Sequence, residues 1–288
     1  MDVSNKVFVW SNSDLDGVAS TILLGNMFSQ FEYRPIFFGD FEEAYANWAD
    51  TNLDSYDKVF IVGMPLDQSL INRLDDHRIV FVSDKGEKYN TFDSTLIVEE
   101  KSSCCKLLYG KFKGKVQFPT NLVKLVAYVD DYNSQTLKYE ESRFLNAIYR
   151  KSGSKKFSHF IDRFWAGFDG YTDKEINLAN QFFREIDNEL QGLTLYKGQF
   201  KGFDIISTFS KFPVNEISRA LLDNYDTDVI IVVNPSTKYV SFRKKRDSKS
   251  DIKFMAENLC NGGAGSSPRV GRSHRSSSIS QQSSSNYE

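Results

Sequence analysis

The sequence has few cysteines and no long apolar run, and it carries almost no net charge. Three cysteines in 288 residues, two of them adjacent (Cys104 and Cys105) and one distant (Cys260), match neither a disulfide framework nor a zinc-ligand spacing. No apolar run approaches the roughly 20 residues of a transmembrane helix, and the start of the chain lacks a signal-peptide pattern. These absences predict a soluble cytoplasmic protein that does not bind membranes.

The near-neutral charge limits how the protein can bind anions. A formal net charge of -2, from 36 basic and 38 acidic residues, excludes a global positive field that would draw the chain onto nucleic acid. Any phosphate binding must therefore depend on local groups. The length is enough for two domains of ordinary size, each with its own core.

The first part of the chain alternates short β-branched or aromatic runs with amphipathic stretches of helical length. This alternation predicts an α/β fold with a parallel, doubly wound sheet. The predicted strands are 6–10, 34–38, 58–62, 78–82 and 95–98, and the predicted helices between them are 17–28, 41–48, 67–74 and 102–109.

The pattern then changes twice. Residues 139–194 place apolar side chains at helical spacing, which predicts a helical connector after a first domain at 1–138. Strand signals return over 195–271 and indicate a second, smaller α/β domain. The Ser-rich segment 272–288 cannot bury enough apolar surface to offset its ordering entropy, so we expect a disordered tail.

The most informative motif follows the first predicted strand and contains Asn12, Asp14, Asp16 and Gly17. Its two carboxylates lie two residues apart at the edge where open α/β sheets form their ligand crevice. Carboxylates at this edge can converge on a hard divalent cation. An ordinary strand-to-helix turn, with Asp16 as the helix N-cap, explains the same residues without a metal.

A second motif combines a strand with a glycine-rich loop near the C-terminus. An Arg at a strand end can bind a phosphate or carboxylate bidentately, and glycines let consecutive backbone N–H groups turn towards an anion. A plain surface loop explains the glycines as well. The residues concerned are Ser241, Arg243, Gly262, Gly263, Gly265 and Ser266.

Taken in this order, Asp14-x-Asp16-Gly17, Ser241-x-Arg243 and the GGxG loop resemble the DHH phosphoesterase superfamily with its C-terminal DHHA1 domain, over residues 6–271. Members include single-strand exonucleases, oligoribonucleases, cyclic-dinucleotide phosphodiesterases and pyrophosphatases. The resemblance implies a two-domain clamp around two divalent cations that activate water. It also implies a nucleotide or short nucleic-acid ligand, with the second motif binding substrate.

Several metal-binding positions of the family are changed in this chain. Asn12 stands where the first motif has a His, and Gly63 stands where a later strand ends in an Asp. Of the name-giving Asp-His-His only Asp84 remains, with Lys85 and Gly86 in place of the imidazoles.

The fourth motif matches Asp130 or Asp131, and Ser266 replaces a His of the glycine-rich loop. A two-cation site needs several anionic or imidazole ligands. The retained ligands can hold one Mn²⁺ or Mg²⁺ loosely. The alternative is that the site holds no metal. The retained candidate ligands are Asp14, Asp16, Asp84, Asp130 and Asp131.

Two of these replacements change the local charge in the same direction. Gly63 in place of an Asp removes one negative charge and Lys85 in place of a neutral His adds one positive charge, so the local charge rises by two, which is the charge of one dication. We therefore hypothesise that the Lys85 ammonium occupies part of a vacated metal position and holds a phosphate without activating water. The alternative is that Lys85 is a solvated turn residue.

Two interpretations of function follow. In the first, the chain is a DHH/DHHA1-type protein that binds a nucleotide, a cyclic dinucleotide or a short oligonucleotide, with catalysis weakened or lost. In the second, it is an active metal-dependent phosphodiesterase whose rearranged site uses Asn12, Asp14, Asp16 and Asp130. The sequence predicts no oligomeric state.

Overall fold

The computed structural model of the chain describes residues 4–86, 88–134, 136, 138–236, 239–245, 248–260 and 272–274. The chain divides into two units, Met1–Phe182 and Phe183–Glu288. The boundary between the two units falls within the helical segment 139–194.

The first unit is built on a five-stranded sheet in which every pair of neighbours is parallel. The order β2-β1-β3-β4-β5 places β1 at the point where the winding of the sheet reverses, so the crevice of an open α/β sheet is expected at the carboxyl ends of β1 and β3. The strands are β1 Lys6–Asn12, β2 Gln30–Ile36, β3 Lys58–Val62, β4 Ile79–Ser83 and β5 Thr95–Val98.

Helices cover both faces of this sheet. An aromatic core that includes Phe8, Trp10 and Trp48 lies between one face and α2 and α3, while α1 packs with α4, α5 and α7. The helices are α1 Leu15–Gly25, α2 Phe41–Asn52, α3 Gln68–Arg73, α4 Cys104–Phe112, α5 Thr120–Asn133, α6 Glu140–Lys151, α7 Lys156–Phe164 and α8 Asp173–Gly192, whose end belongs to the second unit.

The second unit has a mixed sheet of order β10-β9-β8-β7-β6. Only β7 and β8 pair in parallel, and a small core of Val229, Phe242, Ile252, Met255 and Ala256 lies against this sheet. The elements are β6 Tyr196–Phe200, β7 Phe203–Phe209, α9 Val214–Asn224, β8 Val229–Asn234, β9 Tyr239–Lys244, α10 Ile252–Cys260 and β10 Arg272–His274.

The predicted α/β fold class, with a parallel doubly wound sheet and a smaller second sheet, is confirmed. One strand was misplaced: the strand expected at 34–38 is β2 at Gln30–Ile36, because residues alternate between exposed and half-buried along this edge strand and form no continuous apolar run. Within the described ranges, no helix combines the length and apolar character needed to cross a membrane.

The first residues of the segment that was expected to be a disordered tail form a strand. Arg272–His274 pair antiparallel with β9 and form β10, because backbone hydrogen bonding to an edge strand requires no apolar side chains. The other residues of that segment lie outside the described part of the chain.

Gly17 allows α1 to cross close to the end of β1. A Cβ atom at this buried position would lie 1.9 Å from the backbone oxygen of Asn12 and 2.6 Å from Ser11 Oγ. Both are too close for any side chain, so the glycine fixes the approach of α1 to the strand.

We predict that Gly17→Ala lowers the free energy of unfolding by about 1–3 kcal/mol, because the added methyl group displaces backbone atoms. Gly110→Ala is the matched control, since Gly110 is an exposed residue of α4 with open space around its Cβ position. There we expect a gain of about 0.5–1 kcal/mol. Urea unfolding measures both, and equal effects of the two substitutions would contradict the close approach.

Candidate functional site

The turn after β1 is held by Asp14, which is the N-cap of α1. Its Oδ1 accepts a hydrogen bond from the backbone amide of Gly17 at 2.8 Å, and its Oδ2 accepts one from Asn12 Nδ2 at 2.5 Å. The expectation that Asp16 caps this helix is wrong, because the helix begins at Leu15 and the first extended residue before it is Asp14. Asp16 is therefore free to reach another element.

Asp16 binds the N-terminus of α4. Its Oδ2 accepts from the amide of Cys104 and its Oδ1 from the amide of Cys105, both at 2.8 Å. The next amide, that of Lys106, donates to the N-cap Ser103 at 3.3 Å. The first orphan N–H groups of the helix are thus satisfied by a carboxylate 88 residues earlier in the chain.

Asp130 of α5 lies at the same end of α4. Its Oδ1 accepts hydrogen bonds from Ser102 and from Ser103 Oγ, the latter at 2.8 Å, and its Oδ2 lies 3.5 Å from Lys106 Nζ. Both oxygens of this carboxylate therefore contact donors of one short segment.

The carboxylate of Asp131 forms its hydrogen bonds with a different segment of the chain. Its buried carboxylate accepts from Thr136 Oγ1 at 2.6 Å, from Ser142 Oγ at 2.7 Å, and from the amides of Lys138 and Tyr139. Burial raises its pKa, but these hydrogen bonds outweigh burial and the pKa is lowered overall. Its contacts order the start of α6.

The segment after β4 places the charge of Asp84 near Asp16, and it leaves Lys85 exposed. Asp84 Oδ1 lies 3.9 Å from Cys104 Sγ, whereas the exposed Lys85 ammonium makes no ion pair or hydrogen bond with any described residue. These contacts give no support to a Lys85 ammonium in a vacated metal position. At Gly86, φ is +69° and a Cβ would lie 2.8 Å from the backbone nitrogen of Glu100.

Gly63 lies directly beside the turn of β1. Its φ is +69°, and a Cβ here would lie 3.6 Å from Asn12 Cβ and 3.9 Å from Cys104 Sγ. The carboxyl ends of β1 and β3 and the start of α4 thus meet at one place, as the sheet order requires.

The carboxylates at this place repel one another. Desolvation and the negative charges of Asp14 and Asp84 together raise the pKa of Asp16 to about 7, against the hydrogen bonds from the amides of Cys105 and Cys104. Desolvation also raises the pKa of Asp14, against the bonds from Gly17 and Asn12 and the positive charge of Arg150. Asp14 is the more exposed of the two, so solvent screens it better.

Sequence reasoning missed the basic groups of this site. Tyr149 of α6 donates from its hydroxyl to the backbone oxygen of Ser13 at 3.1 Å, and the positive charge of the adjacent Arg150 lowers the pKa of Asp14. Lys106, rather than Lys85, is the lysine in contact with a candidate metal ligand. The run of basic residues at the end of α6 was the available signal.

The possible metal ligands at this place are carboxylates and two buried thiols. Among the described residues, no three His, Cys, Asp or Glu side chains form a group that could hold a metal ion. The buried thiols of Cys104 and Cys105 are free, and desolvation together with the nearby carboxylates raises their pKa well above the usual value, which disfavours the thiolate that binds metals.

The second unit contains the other predicted site residues. Ser241 is buried in β9, and Arg243 donates from Nη2 to Asn215 Oδ1 at 2.6 Å and from Nη1 to the backbone oxygen of Phe242 at 3.0 Å. The loop residues Gly262, Gly263, Gly265 and Ser266 lie outside the described residues.

No protein-family model and no curated protein matches this sequence. Solved structures do match its fold. A DHH domain from a member of the s1p family of ribosomal proteins gives a TM-score of 0.58 at 10% identity, covering 93% of this chain and 82% of that one. A pGpG-specific phosphodiesterase from Vibrio cholerae gives 0.56 at 12% identity, covering 93% and 92%.

RecJ from Thermus thermophilus, solved with Mn²⁺, gives a TM-score of 0.53 at 10% identity and covers 93% of this chain, which spans only 49% of that one. The fold of this chain is therefore the fold of the DHH phosphoesterases. The resemblance that the sequence motifs indicated is confirmed at this level.

We predict that stability falls as the pH rises from about 4 to 7. Asp16 keeps its proton up to about pH 7 in the folded chain but releases it near 3.8 when unfolded, so the folded state binds more protons over this interval. Urea unfolding in EDTA should therefore show a flatter pH profile for Asp16→Asn than for the unmodified chain.

Asp131→Asn is the matched control, because the pKa of Asp131 is lowered and its contribution is lost only as the pH falls through the acid range. This variant should lose stability but keep the slope between pH 4 and 7. An unchanged slope in Asp16→Asn would contradict the raised pKa.

Proposed function

We propose that this chain is a phosphoesterase-like DHH/DHHA1 protein that binds a nucleotide, a cyclic dinucleotide or a short oligonucleotide, and that hydrolysis is weakened or lost. The observation that carries the proposal is the bonding of the site carboxylates. Protein donors already contact both oxygens of Asp14, of Asp16 and of Asp130. A cation would have to compete with these donors.

The changed motif positions support the same conclusion. Gly63 has room for a side chain, although its positive φ would strain one. Gly86 has no such room, because Glu100 occupies the space of its Cβ. An imidazole at position 86 would require β5 and its flanks to move, so we infer that this ligand cannot be regained by one substitution.

The proposed class of ligand is supported by two arginine side chains and by the fold. The positive charge of Arg150 acts on Asp14, and Arg243 of β9 matches the substrate-binding Arg of the family's strand motif. A guanidinium suits the planar, bidentate recognition of phosphate. One protein of the same fold is described as a pGpG-specific phosphodiesterase, which supports a nucleotide as ligand.

We also propose a reducing, cytoplasmic location. The adjacent thiols of Cys104 and Cys105 are buried and free, and thiols of this kind suit a reducing compartment.

The second candidate is an active phosphodiesterase with a one-metal site at Asn12, Asp14, Asp16 and Asp130. It is favoured by the proximity of Asp14, Asp16 and Asp84, whose unbalanced negative charge one Mn²⁺ or Mg²⁺ would stabilise. In this case the bound cation would supply the polarisation of a water or phosphoryl oxygen, and Arg150 would orient the phosphate.

The test incubates the purified protein with Mn²⁺ and with pGpG, short RNAs, cyclic dinucleotides or pyrophosphate. We expect at least one of these to raise the melting temperature and to be recovered uncut. Arg243→Gln should weaken that binding by about tenfold or more, because it removes a charge-assisted contact. Arg184→Gln, at an exposed position of α8, is the control and should leave binding unchanged.

Two results would contradict the proposal. If none of the probes binds, the ligand class is wrong. If the protein releases mononucleotide or phosphate and both Asp14→Ala and Asp16→Ala abolish the release, the second candidate replaces the first.

A further inference from the structure

A cluster of basic residues lies at the turn between α6 and α7, outside every motif of the sequence analysis. We call residues 150–156 the basic turn. Arg150 and Lys151 end α6, Lys155 is the N-cap of α7 and Lys156 is its first residue, and the turn contains no acidic residue. Four positive charges in seven residues contrast with a chain whose net charge is only -2.

The basic turn is fixed beside the candidate site. Tyr149 Oη donates to the backbone oxygen of Ser13, the residue before Asp14, and its ring packs edge-on against Phe160 of α7 at 5.0 Å between centroids. Lys156 Nζ lies 4.7 Å from the centroid of the same ring. One tyrosine therefore holds both sides of the turn at the carboxyl end of β1.

Three of the four basic residues of the turn lack an ion-pair partner in the described part of the chain. Among the described residues, the side chains of Arg150, Lys155 and Lys156 form no ion pair and no hydrogen bond, and no side chain caps the N-terminus of α7. Arg150 and Lys156 repel each other, and Asp14 is the carboxylate whose charge acts on both. An anion bound here would offset this repulsion and would find further donors at the start of α7.

The basic residues of the turn are spread over a longer segment than contact with a single phosphate requires. Arg150 lies in the last turn of α6, whereas Lys155 is the N-cap of α7 and Lys156 is its first residue. Cations spread along a segment in this way suit successive phosphates of a strand, and each neutralised phosphate adds to the salt dependence of binding.

We propose that the basic turn binds the backbone phosphates of a single-stranded oligonucleotide whose end lies at Asp14. The inference rests on the proposed function and narrows it, because it selects an oligonucleotide over a mononucleotide or a cyclic dinucleotide.

The test measures the affinity for a fluorescein-labelled oligonucleotide of about ten nucleotides and for an unlabelled dinucleotide across a KCl series. The variant Arg150→Gln/Lys155→Gln removes two exposed charges. We expect it to weaken oligonucleotide binding about tenfold or more and to lower the slope of log K against log[KCl] by about 1.4, at about 0.7 per phosphate contact. Dinucleotide binding should change less.

Lys111→Gln/Lys115→Gln is the matched control, because it removes two exposed charges at and just beyond the C-terminal end of α4. This variant should bind the oligonucleotide as the unmodified chain does. Circular dichroism and melting temperatures show whether each variant is folded, and Arg150→Gln and Lys155→Gln alone give the separate contributions.

Different failures have different meanings. An unchanged slope and affinity in the turn variant, with binding still lost in Arg243→Gln, would overturn the role of the turn and leave the proposed function standing. Absence of any nucleotide or oligonucleotide binding would overturn both. An equal loss in the control variant, or tighter binding to phosphatidylserine vesicles than to the oligonucleotide at the same salt, would also overturn the inference.

Discussion

The bond between Asp16 and the start of α4 is the contact on which the candidate site depends. The helix N-terminus carries a partial positive charge, and its first two amides each donate to one oxygen of this carboxylate. The same helix end holds Asp130 through Ser102, Ser103 and Lys106. The start of α4 therefore joins the first strand-to-helix turn to α5, and this structural role of Asp16 and Asp130 requires no metal.

This arrangement accounts for the mixed character of the site. The site carboxylates are contacted by backbone amides, hydroxyls and Lys106, and the positive charge of Arg150 acts on Asp14. These donors do not fully offset the negative charge of the site. Asp14 and Asp84 still repel the charge of Asp16, and together with burial they raise the pKa of Asp16 to about 7. This balance of charges is the basis of the proposal that the site binds a phosphate and activates water weakly or not at all.

Local patterns predicted most of the fold and only part of the site. The alternation of short apolar runs and amphipathic segments identified the parallel sheet because period and length are local properties. To choose between Asp14 and Asp16 as the helix cap, one must know the first residue of α1 to within one position. Sequence patterns do not define helix ends to that accuracy. The partner of Asp16 lies 88 residues away and that of Tyr149 lies 136 residues away, so neither contact is visible in a local motif.

The most direct test of the account is a calorimetric titration of the metal-free protein with Mn²⁺. The donor set predicts no tight binding of two equivalents, and at most one weak equivalent that Asp14→Ala removes. Tight binding of two equivalents would contradict the central claim that protein donors have replaced the cations around Asp16.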